Sequence, residues 1–245
     1  MARSVILACN LNEPVDFTFI RQESDVDGSF LVSCILGQTF LTPNASAILV
    51  CMHHTYDHYF NAGKRLNFNL NDARNKSNLV VIDVLKATAD TLCKFDSATI
   101  KPETVVSDIV ADIELKVADL LRVKSSVTVI LDDVHSLSHL KANEHLILAL
   151  CRRLQRFSEK LAPKLRVIIK LHNSNLYECL ANNISMLAQS EIQVNKLTSG
   201  YSKEVDGRLV VKRGNGFDGE KTVLYKVNER NIVVMQPGEP GLNIC

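Results

Sequence analysis

The 245-residue sequence has no tryptophan, only 10 glycines and 6 prolines, and no excess of either charge, with 28 Lys and Arg against 27 Asp and Glu. The scarcity of glycine and proline, with no internal repeat, excludes low-complexity and repeat architectures. The near-neutral balance excludes a global polybasic field for gripping nucleic acid. Long apolar runs are also missing. The opening stretch MARSVILACNLNEP holds a run of about five apolar residues before Asn10, too short for a secretory core or a membrane span, so an intracellular protein with no membrane association is expected. The seven cysteines (Cys9, Cys34, Cys51, Cys93, Cys151, Cys179 and Cys245) are odd in number, scattered, and form no CxxC pair. Most lie in apolar runs, where a free thiol behaves as a small hydrophobe in a reducing compartment.

What is present is an alternation of strand and helix patterns. ASAILVCM (45–52), NLVVIDVL (78–85), SVTVILDDV (126–134) and KLRVIIKLH (164–172) are near-continuous apolar runs, as expected of parallel strands buried on both faces, and VDFTFIRQ (15–22) is a fifth candidate. Helical periodicity is clearest over 103–123, where Val106, Ile109, Val110, Ile113, Val117, Leu120 and Leu121 share a face behind Pro102 and Glu103. A second helix is predicted over 143–161 and a third over 28–41, the latter apolar nearly all round and so deeply buried. From about residue 190 the period shortens toward two in SEIQVNKL, GRLVVKRG, KTVLYKV and NIVVMQPG, separated by turn residues. This pattern predicts one α/β domain over 1–245, with a mainly parallel sheet and crossover helices over 14–190 and an antiparallel hairpin extension over 190–236. The tail EPGLNIC is expected to be loose.

Three stretches bear on chemistry. ESDVDGSF lies between the first strand and a buried helix, where a phosphate loop would sit; it offers Gly28 and Ser29, but no lysine, and carries Glu23, Asp25 and Asp27. Three carboxylates facing a triphosphate would repel it by several kcal/mol in a partly dry site. A strand-to-helix turn with Asp27 as the helix cap accounts for the stretch. VTVILDDV has the form of a strand ending in magnesium-binding acids, Asp132 and Asp133. Without a lysine-bearing loop these are expected to bond the turn around His135 and Ser136. In MHHTYDHYFNAGKRL, His54 and His58 stand four residues apart, a spacing zinc sites use, but no third ligand is near, and an amphipathic helix burying Tyr56, Tyr59, Phe60 and Leu66 explains the run. No nucleophile elbow or Cys-His motif appears. Basic clusters do: Arg152, Arg153 and Arg156 in the helix 143–161, and Lys196, Lys203, Arg208, Lys212 and Arg213 in the C-terminal strands and loops.

DGSFLV (27–32), HYFNAGKRLNFNL (58–70), VILDD (129–133) and LTSGYSKEVDGRLVV (197–211) followed by LYKVNERNIVV resemble, in order, the sixth-subunit family of the Elongator complex. The resemblance implies a RecA-like fold whose phosphate-loop position (Asp27, Gly28, Ser29) and Walker B position (Asp132, Asp133) are degenerate, with no cofactor, no metal and no catalysis of its own. It further implies a heterohexameric ring with the fourth and fifth Elongator subunits, docked on the catalytic subcomplex, which binds tRNA and supports wobble uridine modification in the cytoplasm and also the nucleus. Lys196, Lys203, Arg208, Lys212 and Arg213 are the candidate RNA contacts, with the loop 172–186 beside them. Two other readings stay open: an unconventional NTPase using Asp132 or Asp133 for magnesium, and a RecA-like accessory protein binding DNA in recombination.

Overall fold

The computed structural model describes residues 3–13, 15–94, 101–198, 202–214 and 219–237, with the backbone alone for 91–94. The strands in chain order are β1 (Phe17–Glu23), β2 (Ala45–Cys51), β3 (Leu79–Asp83), β4 (Ser126–Asp132), β5 (Leu165–Asn173), β6 (Ser190–Asn195), β7 (Gly207–Arg213), β8 (Gly219–Val227) and β9 (Ile232–Met235). The helices are α1 (Arg3–Ala8), α2 (Ser29–Leu41), α3 (Tyr56–Arg65), α4 (Leu70–Asn75), α5 (Val84–Lys94), α6 (Pro102–Leu121), α7 (Glu144–Leu161) and α8 (Glu178–Ser185). All the strands join one sheet, in the order β3-β2-β4-β5-β1-β6-β7-β8-β9. The six on the β3 side run parallel, so their carboxyl ends share one edge.

The apolar runs fill both faces because side chains alternate across a strand. Phe17, Phe19, Ile48, Val50, Val129, Leu131, Val167 and Ile169 pack with α6, α7 and α8 on one face. Ile20, Leu49, Ile130, Ile168 and Ile192 pack with α1, α2 and α3 on the other. A three-layer sandwich results, with β1 at its centre between β5 and β6. Helix α2 is buried all round over residues 29–37, because β7 and β8 cover the side that the parallel strands leave open. Phe30 of α2 lies 4.8 Å from the ring of Tyr225 on β8. At the start of α7, the Asn143 side chain accepts the Leu146 N–H at 2.9 Å, and α6 starts with Pro102 at its first turn.

One boundary differs from the sequence reading. Antiparallel pairing was expected from about residue 190, but β6 pairs parallel with β1, Thr18 opposite Ser190, so a further strand-helix-strand unit through α8 precedes the hairpins, which begin at β7. SEIQVNKL alternates like a hairpin strand because it carries a buried acid with its own donors. Ser185 Oγ donates to Glu191 at 2.6 Å and Gln193 Nε2 at 3.0 Å, while Ile192 and Val194 enter the α2 core.

The Asp-Gly pair opening β7 answers to close approach. A Cβ on Gly207 would stand 2.6 Å from the Asn195 carbonyl oxygen and 2.7 Å from the Tyr225 hydroxyl. Gly200, Tyr201, the glycine-rich link at 215–218 and the tail from 238 lie outside the described residues.

Candidate functional site: a self-occupied phosphate turn

In phosphate-binding α/β proteins the ligand sits where the first strand turns into a helix, held by free backbone N–H groups and the positive helix end. Here two of the backbone N–H groups at that turn, those of Gly28 and Ser29, have side-chain acceptors within the chain. Gln22, at the end of β1, accepts the Gly28 N–H through Oε1 at 2.9 Å. Asp27 accepts the Ser29 N–H and the Ser29 Oγ–H, both at 2.8 Å. The residue at the N-cap position of α2 is Gly28, with no side-chain cap bond, so Asp27 acts one position earlier than the expected cap. Burial works to raise the Asp27 carboxyl, but the Ser29 hydrogen bonds, with His54 and Lys170 nearby, outweigh it and hold the group below its ordinary value. The other two acids of the loop are taken up by Lys196, whose ammonium lies 3.1 Å from Asp25 and whose N–H donates to Glu23 at 2.8 Å. The space beside Asp27 and Ser29, closed by Phe30, His58 and the turn after β8, is about 140 Å³. Pockets for drug-sized ligands run to about 300–1,000 Å³.

The two acids ending β4 are also occupied. Lys170, on the neighbouring strand β5, is 1% exposed, and its ammonium stands 3.0 Å from Asp133 Oδ2 and 3.5 Å from Asp132 Oδ1, both acids being fully buried. Asp133 accepts in addition from the His172 N–H and His135 Nδ1, each at 2.9 Å. Its φ of 66° turns the chain left-handed, a conformation aspartate tolerates. Burial opposes the Asp133 charge, yet His135, Lys170 and the His172 N–H overcome it and hold the carboxyl far below the usual range. As expected from the sequence, Asp133 also bonds the following turn, its carbonyl accepting the Ser136 N–H at 3.0 Å. Asp132 accepts the His54 N–H at 2.9 Å. The phenol of Tyr59, wholly buried against Asp132, is pushed up by burial and by that charge. A divalent cation approaching these carboxylates would meet an ammonium already in place.

Lys170 is the functional residue the sequence reading missed. Its signal was a lysine within the apolar core VIIKL (167–171) of KLRVIIKLH, where a buried charge demands a partner.

Histidines gather on the same edge. His54 lies before α3 rather than on it, and its ring stacks on His58 with centroids 4.0 Å apart. His135 lies 6.1 Å from His53, 5.3 Å from His139 and 5.6 Å from His172 by the same measure. Among the described residues no group of three or more His, Cys, Asp or Glu is placed to hold a metal ion. Hydrogen bonding fixes the ring states. Because Gln22 Oε1 accepts from Gly28, its Nε2 donates to His172 Nδ1 at 3.2 Å; because Ser29 Oγ donates to Asp27, it accepts from His58 Nε2 at 3.1 Å.

Burial lowers the pKa of His54 and of His172 despite the opposing charges of Asp132 and Asp133. The unfolded chain therefore binds more protons as pH drops below the ordinary histidine value of about 6.5, and stability, complete above that value, declines as pH falls. We predict that the thermal midpoint falls between about pH 7.5 and 5.5, and that a His54→Gln, His172→Gln variant shows a shallower fall. A wild-type midpoint constant across the window would contradict this assignment.

The expected RNA contacts divide. Lys196 pairs with Asp25, Lys212 lies 3.8 Å from Glu220, and Arg213 is ion-paired to Glu13. Lys203 and Arg208 form no ion pair among the described residues, and Arg208 is half-buried with Nε sealed from solvent. The thiols of Cys9, Cys34, Cys51 and Cys151 are buried and pushed up to about 12, which makes them inert apolar filling.

A mainly parallel sheet, a strand-turn-helix at the phosphate position, acids ending β4 and an antiparallel extension define a RecA-like α/β protein. The flagellar accessory protein FlaH from Methanocaldococcus jannaschii has the same fold, with a TM-score of 0.67 at 17% identity over 94% of each chain. A KaiC-like protein from Pyrococcus horikoshii OT3 superposes with a TM-score of 0.64 at 9% identity, over 89% of this chain and 88% of that one. In sequence, residues 4–229 match the family described as Elongation complex protein 6, and Elongator complex protein 6 of Drosophila melanogaster is 42% identical over 253 residues, covering all of both chains. The chain belongs to the Elongation complex protein 6 family. Among the described residues no helix is long and apolar enough to cross a membrane.

Proposed function

We propose that the chain is a non-catalytic Elongator subunit that keeps the RecA-like frame for assembly and has given up nucleotide chemistry. It assembles with the fourth and fifth subunits into a heterohexameric ring that docks on the catalytic subcomplex, binds tRNA and supports wobble uridine modification in the cytoplasm and nucleus. The single observation that supports this reading is the internal pairing at this edge, where Gln22 and Asp27 accept the Gly28 and Ser29 N–H groups and Lys170 pairs with Asp133. Leu176 and Met186, on either side of α8, are 81% and 84% exposed, and large apolar side chains so placed favour burial by a partner. The 42% identity to a protein named as an Elongator subunit supports the choice of complex.

Isolated chain is expected to bind no ATP in calorimetry with magnesium present, and co-expression with the fourth and fifth subunits is expected to yield one stable assembly. ATP affinity in the isolated chain that disappears on Asp132→Ala, Asp133→Ala would support the NTPase alternative. Recovery of the chain as a free monomer after co-expression would sink the ring.

A further inference from the structure

Helix α7 carries a stripe of charge that no other element neutralises. Arg152, Arg156 and Lys160 follow one another at four-residue intervals, about 6 Å of rise each, and all three are exposed. The opposite side of α7, with Ile147, Leu150, Cys151 and Leu154, is buried in the core, which turns the stripe away from the sheet. It lines an open groove of about 640 Å³ shared with Arg153, Phe157 and Glu114 of α6. The groove's sole carboxylate, Glu114, is held by Arg153 in a two-pronged ion pair of 2.9 and 2.8 Å. Four cations against one acid leave a local charge of +3 on a chain whose formal net charge is only +1. None of Arg152, Arg156 and Lys160 has an ion-pair partner among the described residues, whereas of the C-terminal cations Lys196, Lys212 and Arg213 are paired, Arg208 is half-buried, and Lys203 is left as a single exposed charge without an ion pair.

We infer that the α7 groove, rather than the C-terminal strands, is where this chain grips an RNA strand, an inference that rests on the RNA-binding part of the proposed function. Three unpaired cations on a rigid helix present charge at a fixed short repeat, as a phosphate backbone does. Two of them are guanidinium groups, whose forked donors match phosphate oxygens. The half-buried ring of Phe157 in the same groove offers an apolar face for an unpaired base. That ring favours a nucleic acid over an acidic peptide, which would need the charges alone.

The test uses the co-expressed assembly and fluorescently labelled tRNA, with binding followed by anisotropy at several salt concentrations. An Arg152→Ala, Arg156→Ala, Lys160→Ala variant is expected to bind about tenfold more weakly or worse. The slope of log affinity against log salt is expected to fall by about 2, since each single-strand contact contributes roughly 0.7. A Lys196→Ala, Lys212→Ala variant, whose side chains are already ion-paired, is expected to bind like the wild type. Wild-type binding with unchanged affinity and slope in the α7 variant overturns the groove and leaves the subunit reading standing. Failure of the α7 variant to assemble would make the stripe a protein interface and also overturns the inference. A wild-type assembly that binds no tRNA removes the RNA-binding part of the proposed function, and the groove's role with it.

Discussion

Substituting Lys170 with Met is expected to lower the unfolding free energy by about 3–5 kcal/mol, because removing one partner of a buried ion network strands the others without a counter-charge. Asp132 and Asp133 are fully buried, and Lys170 is the cation between them. Methionine matches the length of the stem but supplies no donor. Asp133 would keep the His172 N–H and His135, whereas Asp132 would face Tyr59 and the His54 N–H alone. Adding Asp132→Asn and Asp133→Asn to the Met variant is expected to recover part of the loss, since amides tolerate burial without a cation better than carboxylates do. Urea unfolding of the wild type, the single variant and the triple variant measures both effects through the transition midpoint. A single-variant loss below about 1 kcal/mol, the scale of an exposed pair, would show that the network is solvated and the site open.

Phe19→Ala should cost about 3–5 kcal/mol, the range for truncating a buried aromatic ring. Phe19 is fully buried on β1, the strand hydrogen-bonded to both β5 and β6, and its ring packs into the core under α6, α7 and α8. The cavity would open where three elements meet, leaving little chance of collapse. Leu176→Ala is the contrasting case: its side chain is 81% exposed, and the change is expected to stay within about 0.5 kcal/mol in the isolated chain. Equal losses for the two variants in urea unfolding would mean that the core does not lie where the sheet places it.

Strand and helix identities were legible because each is carried by a local period. VILDD reads as a buried strand from its own residues, and residues 28–41 read as a buried helix because no face of it is polar. The absence of a lysine from ESDVDGSF was equally visible. The partners of the loop and strand-end acids were not, because they come from distant parts of the chain. Lys170 reaches Asp133 across 37 residues, and Lys196 reaches Asp25 across 171. The C-terminal cations looked available for RNA since sequence displays charges without their partners. Folding pairs Lys196, Lys212 and Arg213 with acids from the first loop, the next strand and the N-terminal segment. The parallel place of β6 was hidden for a related reason: Glu191 imitates the outward residue of a hairpin strand while Ser185 and Gln193 satisfy it inside.

The sequence by itself determined the succession of elements, the burial of α2 and the absence of a phosphate-loop lysine, because periodicity and residue type act within about ten residues of chain. Only the tertiary structure decided that β1 lies between β5 and β6, that Gln22 and Asp27 bond the turn after β1 while Lys170 pairs with the acids ending β4, and that three exposed cations without ion-pair partners among the described residues line up on α7. Strand order and charge pairing depend on which distant segments meet when the apolar faces are buried. A hydrogen bond or an ion pair exists only once that burial has brought both partners within about 3–4 Å.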